Sequence, residues 1–322
     1  MPLAILAYSK GCFAKNFYRS PRKMPEMRHF SSGFAISGVV PAQKALRHGG
    51  FVWREMEIDE MRKGILIYGR YVSVVLRSAM QYRLSFFLMA AGRFLIAFNG
   101  FLGIYFLFSG FSEVKGYTYG EILLCFSIMQ LSFSLAECCT NGFKKFSGTV
   151  KRGEFDRMLV RPVSPMLQVL GSGFDLGRLA PALTGFMVLF IGIKNCSVHW
   201  TVGRTAALLL MLLGGIFLFA GLFMIEAAVC FFSIENTECM NVLTYGAKEH
   251  GKYPIDIYGK GLMRFCTYVI PYTLVQYYPL QYLLGKTDNR LYALCPLGVT
   301  VFVLLCCLLW RTGVRHYKST GS

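Results

Sequence analysis

The chain has 322 residues, 54% of them apolar and only 16% charged, with a mean hydropathy of +0.46. Soluble domains carry about a quarter charged residues, so an ordinary soluble globular fold is excluded. The formal charge of +17 is spread mainly between apolar blocks with no nucleic-acid-binding motif beside it, which argues for a lipid bilayer as partner and against DNA or RNA.

Residues 1–60 differ from the rest. They are rich in Ser, Gly, Arg and Lys, and between Met1 and Arg54 the only acidic residue is Glu26. No short apolar core followed by small residues marks a secretory signal, although an acid-poor, Arg- and Ser-rich leader does match a mitochondrial transit composition. With little periodicity, the segment reads as a disordered or non-native leader. From Lys63 to Tyr82 a helical pattern begins: Arg70 and Arg77 share one face, and Ile65, Val72, Leu76 and Ala79 share another. Residues 61–83 are therefore predicted to be an amphipathic helix in the headgroup plane, or a cytosolic extension of the first span.

Six apolar spans follow, near 84–108, 118–141, 177–194, 204–232, 261–284 and 290–311. Each approaches the roughly 20 residues a helix needs to cross about 30 Å of hydrocarbon. Pro271 and Pro279 interrupt the fifth and predict a broken or re-entrant helix there. The connections 109–117, 195–203 and 285–289 carry only Lys115 and Lys286 as basic residues. The alternate connections hold Lys144, Lys145, Lys151, Arg152, Arg157 and Arg161, then Lys248, Lys252 and Lys260, with Arg315 and Lys318 at the end. The positive-inside bias then places both termini in the cytoplasm. The expected fold is all-α: a multi-pass membrane domain over 84–318, in the inner (plasma) membrane of a bacterial cell.

Charges inside lipid cost several kcal/mol or more, so Arg93, Glu121, Glu137 and Glu226 are nominated as pathway or packing residues. Arg93 lies roughly 13 Å and Glu226 roughly 9 Å from the inner boundary at helical rise, so the two can pair. The alternative has Arg93 snorkelling and Glu226 facing a neighbouring subunit.

Catalytic motifs are lacking. Eleven cysteines include no Cys-x-x-Cys, and the five histidines are scattered, so no metal ligand set and no catalytic residue is assigned. Gly285-Lys286-Thr287 mimics the end of a phosphate loop, but Leu280 stands where its first glycine belongs. The chain is not expected to be an enzyme or to bind a cofactor itself.

The segment after the second span, from Lys144 to Met166, is the most informative. Gly153 breaks one helix, Glu154 and Asp156 suit the first turn of the next, and Phe155, Met158 and Leu159 form an apolar stripe that ends at Pro162. A short helix of this kind at the cytosolic surface suits a partner's groove, the plainer reading being a loop lying on the membrane.

The run Arg152-Gly-Glu-Phe-Asp-Arg-Met-Leu-Val-Arg-Pro162 resembles the corresponding segment of the ABC-2 permeases, in particular a six-span branch. Tyr253-Pro-Ile-Asp-Ile-Tyr258, Ile270-Pro271 and Tyr277-Tyr278-Pro279 agree with it, and the resemblance covers roughly residues 62–318. It implies a permease subunit that pairs with a second copy or paralogue and with two cytosolic ABC ATPase subunits, which bind ATP and Mg. It also implies that Gly153, Glu154, Phe155, Asp156, Met158, Leu159 and Pro162 form a coupling helix seated on the ATPase. Family members are usually exporters, and the importer-type Glu-Ala-Ala loop is absent here. The competing readings are a membrane-embedded enzyme and a non-transport membrane assembly protein.

Overall fold

The computed structural model describes residues 51–161, 163–196, 198–233 and 237–317, which are mostly helical. They fall into two units that divide between Gly69 and Arg70, inside helix α1 (Phe51–Gln81). In the first unit the described residues form the opening part of α1, which takes in the last residues of the expected leader. Residues 1–50 of that leader lie outside the described residues. Helix α1 runs through the stretch expected to be amphipathic and ends at Gln81.

The second unit is a helical bundle. Helix α2 (Arg83–Gly110) runs to a tight hairpin of β1 (Glu113–Val114) and β2 (Tyr117–Thr118), with Val114 opposite Tyr117. Lys115 and Gly116 both have positive φ (49° and 78°), the conformation a two-residue hairpin needs to match strand twist. Helix α3 (Tyr119–Lys144) returns along α2, and nearly every residue from Gly120 to Phe143 is covered by protein. Glu121 accepts from the Thr118 N–H (2.9 Å), so it caps the start of α3 rather than sitting inside lipid as expected.

Three short helices follow: α4 (Phe146–Lys151), α5 (Glu154–Val160) and α6 (Pro165–Ser172). A 3-10 turn (Leu176–Arg178) leads into α7 (Leu179–Asn195), and α8 (Val202–Val229) runs back. Gly185 and Gly192, seven apart on one face of α7, let it close on α3: an added Cβ would stand 2.8 Å from Leu131 Cγ and 3.1 Å from Leu124 N, respectively. Such small-residue faces let helix backbones approach where no hydrophobic force drives them together. α3 is thus the hub, with α2, α7 and α8 around it.

Among the described residues, five helices are long and apolar enough to cross a bilayer: Arg83–Gly110, Tyr119–Lys151, Leu176–Asn195, Val202–Val229 and Leu291–His316. The predicted fifth span, 261–284, is not a single helix. It divides into α10 (Lys260–Tyr268) and α11 (Tyr277–Leu283). Pro271 lies in the gap, where its missing N–H and its effect on the preceding residue stop the helix. Pro279 is the third residue of α11, where no helical hydrogen bond is lost, so it does not break anything.

The course of the chain from 237 to 286 follows from its contacts with α3. Helix α9 (Thr237–His250) starts at the basic end of the bundle, where Tyr245 Oη meets Glu137 and Lys144 near the end of α3. By Asp256 and Ile257 the chain has reached the hairpin end: Tyr117 Oη donates to Asp256 Oδ2 (2.9 Å) and Lys115 Nζ to the Ile257 carbonyl (2.8 Å). The separation of Glu137 from Tyr119 along α3 is roughly 27 Å at helical rise. Residues 237–258 therefore run the length of α3, and Lys248 and Lys252 lie along its flank rather than in an end loop.

After Lys260 the chain dips inward and returns. Tyr272 Oη donates to the Ala247 carbonyl (2.6 Å) and its ring lies 6.1 Å from that of Phe219, well inside the bundle. Gln281 Nε2 then reaches Tyr117 Oη (2.7 Å), back at the hairpin end. A helix α12 (Leu291–Leu294) and a 3-10 turn (Cys295–Gly298) lead into α13 (Val299–His316), which ends beside α3 and α5 at the basic end.

Candidate functional site

Two features stand out: a charged cavity in the middle of the bundle and a ledge of short helices at its basic end. A cavity of about 150 Å³ is bounded by α2, α3, the start of α7, and α9 with the residues just after it. α2 contributes Arg93, Ile96, Ala97 and Gly100, a spacing of three and four that defines one face. α3 contributes Phe126, Gln130, Phe133, Ser134 and Glu137, and the remaining wall is Arg178, Pro181, Lys248, Glu249 and Lys252.

Glu137 is fully covered, and its Oε1 gathers three donors: Arg178 Nη2 (2.8 Å), Tyr245 Oη (2.7 Å) and Lys144 Nζ (3.3 Å). The expected Arg93–Glu226 pair does not form. Arg93 Nη1 instead donates to both oxygens of Asp175 at 3.0 Å. Asp175 is held at the bend before α7, its backbone N–H donating to the Cys138 carbonyl (3.1 Å) and its Oδ1 accepting from Gly177 N (3.0 Å). A side chain at Gly177 would push aside the ends of the Arg93 and Met89 side chains. Glu226 is buried within the chain rather than turned toward a neighbour, and its Oε2 has no hydrogen-bond partner among the described residues.

Sequence reasoning missed Asp175, Arg178, Tyr245, Lys248 and Lys252. Asp175 carried a usable signal, an Asp before Leu-Gly-Arg and an apolar run, which is the mark of a helix start. The lysines carried none, since they were counted with a connecting loop.

At the hairpin end, Tyr117 Oη bridges Asp256 and Gln281, and Lys286 Nζ lies 3.8 Å from the Tyr117 ring centre and 3.4 Å from Glu121 Oε2. Burial and the Asp256 carboxylate push the Tyr117 phenol well above its usual value. Lys286 thus ties a turn together. Among the described residues no three His, Cys, Asp or Glu side chains group closely enough to hold a metal.

At the basic end, Gly153 takes a left-handed backbone (φ 65°) between α4 and α5. Glu154 pairs with Arg152 (2.7 Å), and that hydrogen bond holds its carboxyl below the ordinary value. Phe155, expected on the docking stripe, points inward. Its ring packs against those of Phe146 (5.0 Å), Tyr317 (5.0 Å) and Phe231 (5.4 Å). Aromatic neighbours from α4, from just after α8 and from just after α13 outcompete a free surface for the largest apolar side chain. Met158 and Asp156 are half-buried, and the Met158 carbonyl accepts from Gln168 Nε2 (2.9 Å). Leu159 is 39% exposed and Val160, which the sequence did not single out, 87%. Pro162 lies outside the described residues.

Residues 94–321 match the family described as ABC-2 family transporter protein, a stretch that contains nearly all of the bundle, the cavity and the ledge. The chain belongs to that family. No curated protein and no solved structure matches it. This ABC-2 protein is accordingly a multi-pass membrane permease component of the ABC transporter class, and proteins of this kind are transport permeases rather than enzymes. ABC-2 permeases generally work with ABC ATPase partners.

Proposed function

We propose that this ABC-2 protein is the pathway-forming permease of an ATP-driven exporter, with ATP and Mg bound and hydrolysed on two separate cytosolic ATPase subunits. A second permease, identical or related, completes the pathway. The observation that carries the reading is the one-sided helix α5: Phe155 is sealed in an aromatic cluster while Leu159 and Val160 stand open. A helix fixed to the bundle on one face and apolar on the other transmits a push from a partner to α3, α8 and α13.

In this reading the bilayer is crossed six times, by the five long helices and by residues 237–258, while 260–284 re-enters from the hairpin side. The basic end, with Lys144, Lys145, Lys151, Arg152, Arg157 and Arg161, is cytoplasmic. Assigning Lys260 to the other end narrows the charge bias without reversing it. Both termini are then cytoplasmic, α1 lies at the inner interface, and the protein resides in a bacterial inner membrane.

The test is purification of the tagged full chain from its native membranes. Wild-type protein is expected to bring down ATPase activity, and Leu159→Asp or Val160→Asp to cut it about tenfold or more with insertion and Tm unchanged. Full ATPase recovery in both variants would overturn the coupling assignment.

A further inference from the structure

The cavity wall carries more positive than negative charge: Arg93, Arg178, Lys248 and Lys252 against Glu137 and Glu249. Adding Lys144 and Asp175, which share the same ion pairs, leaves that excess unchanged. Arg93 is matched by Asp175, Arg178 by Glu137 and Lys252 by Glu249. Lys248 makes no direct ion pair among the described residues, and Glu249 and Glu137 act on it only from a distance. Its Nζ stands 4.9 Å over the Phe133 ring centre and has no ion pair or hydrogen-bond acceptor among the described residues. Arg178 Nε, buried in the same wall, faces Asp175 Oδ2 at 3.7 Å without a hydrogen bond to it.

A ring face returns to an ammonium only a fraction of what it loses on leaving water. An excess of donors and positive charge inside a membrane bundle is stabilised by a counter-anion, which supplies charge and acceptors together. Glu137 Oε2, which has no hydrogen-bond partner among the described residues, suits a hydroxyl or water on such a ligand.

We infer that this cavity binds a phosphate-type oxyanion, with Lys248 as its principal contact and Arg178 and Lys252 beside it. About 150 Å³ holds the head group and little more. Ile96 on the cavity wall is open to the outside, so the apolar remainder of an amphiphile leaves the cavity past that side chain. The inference rests on the membrane reading and deepens the permease proposal by naming the chemistry of the bound molecule.

The test uses the full chain in phosphatidylcholine nanodiscs, with phosphatidic acid added in one arm and inorganic phosphate in another. Wild-type protein is expected to retain phosphatidic acid through native mass spectrometry. Lys248→Gln should weaken retention about tenfold, as loss of a charge-assisted hydrogen bond does, and Lys248→Arg should restore it. Binding of phosphate but not of the lipid would support the site with a soluble ligand as its source. Failure of wild type to take up either, or equal retention in Lys248→Gln, overturns the inference. ATPase recovery on the same preparations separates the two proposals: recovery without anion binding sinks the cavity site alone, and anion binding without an ATPase sinks the coupling reading alone.

Discussion

At the scale of single residues, Glu137 and Tyr117 hold opposite ends of α3 to the segment that runs beside it. Glu137 carries one negative charge amid Arg178, Lys144 and Tyr245. Glu137→Ala should cost about 3–5 kcal/mol, because it strands buried cations rather than removing a contact, and Glu137→Gln should cost less. Thermal unfolding in detergent measures both. Tyr117→Phe removes the link between Asp256 and Gln281 and should cost about 1–3 kcal/mol by the same assay. Its pH dependence has a definite sign. The Tyr117 pKa is raised on folding, so its contribution is present in full below the ordinary phenol value of about 10 and is lost as pH rises beyond it. Wild type should therefore lose stability between about pH 10 and 11 more steeply than Tyr117→Phe.

At the scale of elements, α5 separates anchoring from docking. The alternation of apolar and charged residues from Phe155 to Val160 was legible as a short helix, and Gly153 and the acidic first turn marked its start. Which apolar residue faces the bundle was not legible, because that depends on Phe146, Phe231 and Tyr317, distant in sequence. Phe155→Ala should lower stability by about 3–5 kcal/mol, as emptying a large buried site does, whereas Leu159→Asp should leave the melting curve unchanged. Equal losses in the two variants would mean that α5 has no free face. Helices α10 and α11 teach the same lesson: Pro271 announced a break, yet only Tyr272 and Gln281 reveal that the chain turns back there.

At the scale of the whole molecule, the decisive question is which segment crosses beside α3. Residues 237–258 run from Glu137 to Tyr117, and 260–284 leave and rejoin the hairpin end. Lys260 separates this course from the layout drawn from charge alone, which puts it with the basic end. In a cysteine-free background, Lys260→Cys should react with a membrane-impermeant maleimide from the same side as Lys115→Cys and Lys286→Cys, and Val160→Cys only from the other. Labelling of Lys260→Cys together with Val160→Cys would refute the re-entrant course.

The sequence by itself determined the membrane environment, the all-helical character, five of the long apolar helices and the short helix after the second, since each is written in local composition and periodicity. It also carried the family, through motifs that keep their order and spacing. Only the tertiary structure decided that a segment containing Lys248 and Lys252 lies along the central helix, that Arg93 pairs with Asp175 and not Glu226, and that charges from four separate stretches meet in one cavity. Hydropathy averages over a window and rejects a polar stretch, but a buried polar segment is stable when its partners come from other helices, and those pairings are absent from any local pattern.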